Sequence, residues 1–156
     1  MKLWITLYAM IWIVFLEFLL AMTPRAPDAL LYLHIILGIG IIGFAYYNFD
    51  GVRKTSVPGR VKRVAKASLN LSVVMAVLGV LLAFEIGRDW TILFGVTVWG
   101  LILFVHIVNA FAIITQAAAV AIAYDMWKDK EFEKETTPGE VPVPATTKVA
   151  APSVKS

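Results

Sequence analysis

Four apolar stretches set the limits on what this chain can become. They run from Leu3 to Met22, broken only by Glu17; from Ala29 to about Tyr47, with His34 inside; from about Ser68 to Phe84; and from Trp90 to Tyr124, with His106 inside. A helix crossing ~30 Å of hydrocarbon needs about 20 apolar residues, so the first three read as single spans. The fourth is too long for one straight span, because its 35 residues would reach roughly 52 Å as a helix. Gly95 and Gly100 are the expected break points, and Trp90 and Trp99 the expected interface anchors. The expected spans are therefore 3–22, 29–47, 68–84 and 100–124, with 89–99 interfacial or protruding. Composition agrees: 60% of the 156 residues are hydrophobic and 16% charged, against about 45–50% and about 25% in a soluble domain. The first stretch is longer than the 7–15 residues of a signal-peptide core and has no small-residue cleavage pattern, so it reads as a retained helix.

Basic residues set the expected orientation. The segment from Asp50 to Ala67 carries Arg53, Lys54, Arg60, Lys62, Arg63 and Lys66, and the C-terminal region carries Lys128, Lys130, Lys134, Lys148 and Lys155. With Lys2, twelve of the 14 basic residues fall on one side of a four-span arrangement, leaving Arg25 and Arg88 on the other. The positive-inside rule then predicts cytoplasmic N and C termini in a prokaryotic-type cell membrane. Short connections make sequence neighbours antiparallel, which predicts an all-α, up-down-up-down integral membrane bundle. The bundle occupies residues 1–128, and residues 129–156 form a charged, then proline-rich, cytoplasmic tail. From Asp125 to Glu135, eight of eleven residues are charged and extend the fourth helix. Beyond them Pro138, Pro142, Pro144 and Pro152 sit in a composition that builds no core of its own. The basic loop and the pI near 9.2 are read as topology and lipid-headgroup signals, not as a nucleic-acid site. Val57-Pro58-Gly59-Arg60 reads as a turn, and Ser68 as the start of the third span.

Ionisable groups inside a membrane are costly, so each is a candidate for function. Three qualify: Glu17, His34 and His106. Counted from the expected helix ends, all three lie roughly 8–9 Å below the outer boundary, and Gly79 falls at a similar depth. The match depends on the fourth helix starting near Gly100. Without cysteine there is no disulfide, thiolate metal site or iron–sulfur cluster, and two histidines suffice for one bis-histidine haem at most. His34 and His106 are therefore the expected axial ligands of one b-type haem, held on helices that face each other across a bundle diagonal. Gly38 lies one turn after His34 and Ala110 one turn after His106. Ser72, Ala76, Gly79 and Ala83 form a stripe of small residues on the third helix. Such stripes also pack membrane helices with no cofactor.

One histidine in helix two and one in helix four of a four-helix bundle resembles half of a haem A synthase, and more broadly the small membrane b-type cytochromes. Leu33-His34-Ile35-Ile36-Leu37-Gly38 matches the H-x-x-x-G pattern of such helices, and Val105-His106-Ile107-Val108-Asn109-Ala110 an H-x-x-x-A pattern. The resemblance covers residues 1–128 in topology and those motifs in sequence. It implies haem ligation by His34 and His106. It does not extend to synthase activity. Those enzymes carry an acid shortly before the first histidine and an arginine right after it, whereas Tyr32, Leu33 and Ile35 stand here and Asp28 is too far upstream.

Three other readings stay open. Glu17, His34 and His106 are a donor set suited to non-haem iron, copper or zinc. Glu17 and the histidines also suit proton transfer or quinol oxidation, since a carboxyl group in hydrocarbon favours its neutral form. Finally, the sparse polar content and the tail suit a cofactor-free accessory or scaffold subunit of a respiratory or monooxygenase complex, the tail meeting other membrane subunits. Asn70, Thr115 and Gln116 are expected to make interhelical hydrogen bonds, and Asn109 to be within reach of a histidine. No nucleophile–base set, phosphate loop or HExxH motif is present. No inverted repeat supports a transporter.

Overall fold

A computed structural model describes residues 2–23 and 28–136, with side chains as far as residue 130. The element order is α1 (Leu3–Ala21), α2 (Asp28–Arg53), α3 (Gly59–Ala83), β1 (Thr91–Leu93), β2 (Val96–Thr97) and α4 (Val98–Thr136). All four helices are long and apolar enough to cross a membrane. The proline-rich stretch expected as a tail lies outside the described residues.

Each helix packs against its sequence neighbours, and α4 closes against α1. The ring places α2 opposite α4 and α1 opposite α3. One end of the bundle carries Lys2, the α2–α3 connection and the charged part of α4, and is called here the basic end. The other carries the end of α3 and the β-hairpin, and is called the hairpin end.

Two helices are longer than their apolar stretches. α2 continues past Tyr47 to Arg53, and α3 begins at Gly59 instead of Ser68. Hydropathy registers only the part that suits hydrocarbon, while helical hydrogen bonding continues into charged turns whose long side chains reach outward. The chain reverses over Lys54–Pro58, and Gly59 is already helical. Pro58 sits just before α3, where a missing N–H costs nothing.

The long fourth stretch is divided by a hairpin. Leu93 pairs with Val96, and the two residues between them, Phe94 and Gly95, have φ of 53° and 77°. Positive φ at both central positions is the type I′ geometry that matches strand twist. Gly95 is thus a turn residue. Gly100 is not a break, because α4 starts at Val98 and the Gly100 N–H is capped by the Thr97 hydroxyl at 3.1 Å. Trp90 and Phe94 are exposed, whereas the Trp99 indole N–H donates to the Leu82 carbonyl at 3.3 Å and ties α4 to the end of α3.

α3 ends in a Schellman arrangement. The Ile86 N–H reaches the Leu81 carbonyl and the Glu85 N–H the Leu82 carbonyl, both at 3.0 Å. The left-handed position, usually glycine, is Glu85 with φ of 53°. Its carboxylate contacts Arg88 and raises the guanidinium pKa further. Two residues on, Gly87 has φ of 74°, and a Cβ there would stand 2.6 Å from Val98 Cβ.

The buried apolar core forms two connected layers. Leu7, Val52, Val57, Ala65, Val120 and Ala121 fill the basic end. Met10, Val14, Ile41, Ala45, Ile113 and Ala117 fill the middle. Toward the hairpin end, among the described residues, the buried positions that follow on the helices are Glu17, Ser72 and Asn109. The buried apolar side chains therefore concentrate at the basic end and in the middle, and a layer of buried polar residues follows toward the hairpin end.

Candidate functional site

The histidines sit in that polar layer because of helix register. His34 is six residues into α2 and His106 eight residues into α4, while Glu17 and Gly79 lie four residues before the ends of α1 and α3. At 1.5 Å per residue these depths span roughly 6–12 Å, and helix packing brings the four together.

Glu17 is buried, 6% exposed. One carboxylate oxygen contacts Nδ1 of His34, and the other, Oε1, is buried without a hydrogen-bond partner. The contact gives each of these two buried or half-buried ionisable groups a partner from the neighbouring helix, as groups at membrane depth require. The contact occupies Nδ1 and leaves Nε2 as the imidazole nitrogen for a ligand. His34 faces His106 across the diagonal, with ring centroids 6.4 Å apart and planes inclined at 56°. Nδ1 of His106 is buried without a partner.

The small residues divide into those that meet the pair and those that do not. A Cβ built on Gly79 would stand 3.5 Å from Cε1 of His106, so α3 comes close to the ring there. A Cβ on Gly38 would have nothing within 4 Å, so space is open one turn below His34. Ala110 is part-buried on the His106 face of α4. The stripe on α3 does not stay on one packed face: Ser72 is buried and Gly79 meets His106, but Ala76 and Ala83 are exposed.

Other expected polar contacts are redistributed. Asn109 donates to the Leu71 carbonyl at 2.9 Å and joins α4 to α3, leaving both histidines alone. Thr115 bonds the Phe111 carbonyl of its own helix at 2.8 Å. Asn70 is exposed, and Gln116 Oε1 is buried without a partner. A further interhelical polar clamp involves residues that the sequence did not single out. Asn48 Nδ2 donates to the Thr6 carbonyl at 3.2 Å, and the Thr6 hydroxyl lies 2.6 Å from Asn48 Oδ1. Asn48 falls one residue beyond the expected end of the second span, which hid it. Tyr8 and Asp125 add a bond of 2.7 Å between α1 and α4.

Chemically, the layer offers two imidazoles, one oriented by a carboxylate. Two imidazoles sharing one metal at ~2.0–2.1 Å per bond hold their ring centroids roughly 6 Å apart, and the observed separation is of that size. Among the described residues no group of three His, Cys, Asp or Glu side chains is placed to hold a metal ion, and Glu17 is turned to His34. A scan of protein-family models finds no match to the chain, and comparisons with curated proteins and with solved structures find none either.

Proposed function

We propose that this protein is a small membrane cytochrome subunit that binds one b-type haem between His34 and His106 and passes electrons within a respiratory or other membrane redox complex. The observation that carries the reading is the facing imidazole pair at 6.4 Å, with Glu17 on one Nδ1 and the other Nδ1 unpartnered. A carboxylate on the far nitrogen of a ligating histidine is the usual outer-shell arrangement, fixing ring orientation and raising ligand basicity. The close approach of α3 at Gly79 brings a third helix against the His106 ring. When bound, haem supplies one-electron exchange at its iron. This chain's part is to hold the two nitrogens, orient His34 through Glu17, and wall the site with apolar side chains. Basic residues grouped at one end support an orientation with both termini cytoplasmic in a prokaryotic-type membrane. The histidine layer then lies toward the outer face, within reach of a quinol donor.

The test is the visible spectrum of purified, dithionite-reduced protein, expressed with haem supplementation. A b-type α band that is lost in His34→Ala and in His106→Ala supports the reading, and absence of any α band overturns it. The competing reading is a cofactor-free accessory or scaffold subunit. It is favoured by direct protein contacts in the layer, Glu17 to His34 and His106 to Gly79. On that reading, deletion of residues 137–156 releases the subunit from its partners, with no spectral change in any variant.

A further inference from the structure

A second feature lies at the opposite end of the bundle and is independent of the histidines. A cavity of about 420 Å³, open to the surroundings, is lined by Arg60, Arg63, Val64, Ala67 and Gln116. It sits between the first turns of α3 and the flank of α4, where α3 passes from charged to apolar sequence.

Its chemistry is one-sided. Among the described residues no carboxylate pairs with Arg60 or Arg63, while the basic side chains nearby at Arg53 and Lys54 are both satisfied by Asp50. Nη1 of Arg63 folds back over the start of its own helix, 3.9 Å from where a Cβ on Gly59 would stand. The first turn of α3 holds no acidic residue, and Pro58 gives it no side-chain cap, so the positive end of the helix dipole adds to the two guanidiniums. On the other wall, Oε1 of Gln116 is buried without a donor. Val64 and Ala67 supply an apolar side. The cavity thus combines donors for an anion with an apolar wall, where α3 passes from charged to apolar sequence.

We propose that this cavity binds the headgroup of an anionic phospholipid, with the phosphate on Arg60 and Arg63. Basic pockets between transmembrane helices take lipid phosphates in this way, and paired guanidiniums match phosphate oxygens better than isolated ammonium groups do.

The test is native mass spectrometry of the detergent-solubilised full chain, titrated separately with phosphatidylglycerol, phosphatidic acid, phosphatidylcholine and inorganic phosphate. Circular dichroism confirms that each variant is folded. The expected result is one phosphatidylglycerol retained at least about tenfold more tightly than phosphatidylcholine. At roughly 1 kcal/mol per basic residue near a lipid surface, Arg60→Gln/Arg63→Gln loses about tenfold or more in affinity. Arg53→Gln, which removes one charge outside the cavity, leaves binding unchanged, whereas Arg60→Gln and Arg63→Gln each weaken it alone. Equal binding of phosphatidylglycerol and phosphatidylcholine, or an equal loss in Arg53→Gln, overturns the proposal in favour of diffuse surface charge. Inorganic phosphate binding alone, with the same arginine dependence, and displacing the lipid overturns it in favour of a soluble phosphate.

Discussion

His34 on α2 and His106 on α4 face each other across the diagonal of the bundle, their ring centroids 6.4 Å apart and their planes inclined at 56°. Antiparallel neighbours put equal depths of α2 and α4 on opposite sides of one layer, and Glu17 from α1 holds the orientation of one ring.

Glu17→Gln keeps the size of the side chain but replaces the carboxyl group on Nδ1 of His34 with an amide. Loss of an outer-shell partner lowers metal-site affinity by about 10–100-fold. Haem titration of the apoprotein, followed in the Soret region, is expected to show a drop of that order with the fold intact. Unchanged affinity would sink the positioning role of Glu17.

Gly79 gives a graded test. Its hypothetical Cβ makes ordinary contact with Cε1 of His106 at 3.5 Å, so Gly79→Ala is expected to be neutral or to gain about 0.5–1 kcal/mol from helix propensity. Gly79→Leu must push the ring aside. Thermal denaturation should separate the two variants, and the imidazole NMR signals of His106 should shift strongly only in the leucine variant.

The Thr6–Asn48 clamp is buried at the basic end. Asn48→Leu removes both bonds to Thr6, whose hydroxyl keeps its 2.8 Å bond to the Leu3 carbonyl, and is expected to cost about 0.5–1.5 kcal/mol. Titration of the unfolded fraction in mixed micelles with increasing sodium dodecyl sulfate measures this. No change would mean that the clamp is dispensable.

At the hairpin end, Glu85 and Gly87 predict opposite outcomes. Glu85→Gly relieves a left-handed conformation that costs a non-glycine residue roughly 1–2 kcal/mol. It gives up only an exposed ion pair with Arg88, so a higher melting temperature is expected. Gly87→Ala places a Cβ 2.6 Å from Val98 Cβ and is expected to lower it. The same scan on both variants checks the signs.

The four helices were legible because their apolar stretches are uninterrupted, and Glu17, His34 and His106 stood out because nothing else ionisable lies within them. Helix ends were less legible. Asn48 looked like a boundary residue because α2 outlasts its hydropathy, and the type I′ turn at Phe94-Gly95 lacks the usual asparagine or aspartate. The reach of Asn109 to α3 instead of to a histidine depends on rotation about the axis of α4. Depth along a helix is written in the sequence, but rotation is set only when the neighbours pack.

The uneven packing of the bundle also bears on how it is put together. Both buried apolar layers lie at the basic end and middle, so backbone amides there are expected to exchange slowest, with protection falling toward the hairpin. A group arriving at Glu17, His34 and His106 from the hairpin end displaces no buried apolar side chain. The scaffold is therefore expected to complete its apolar packing independently of that layer.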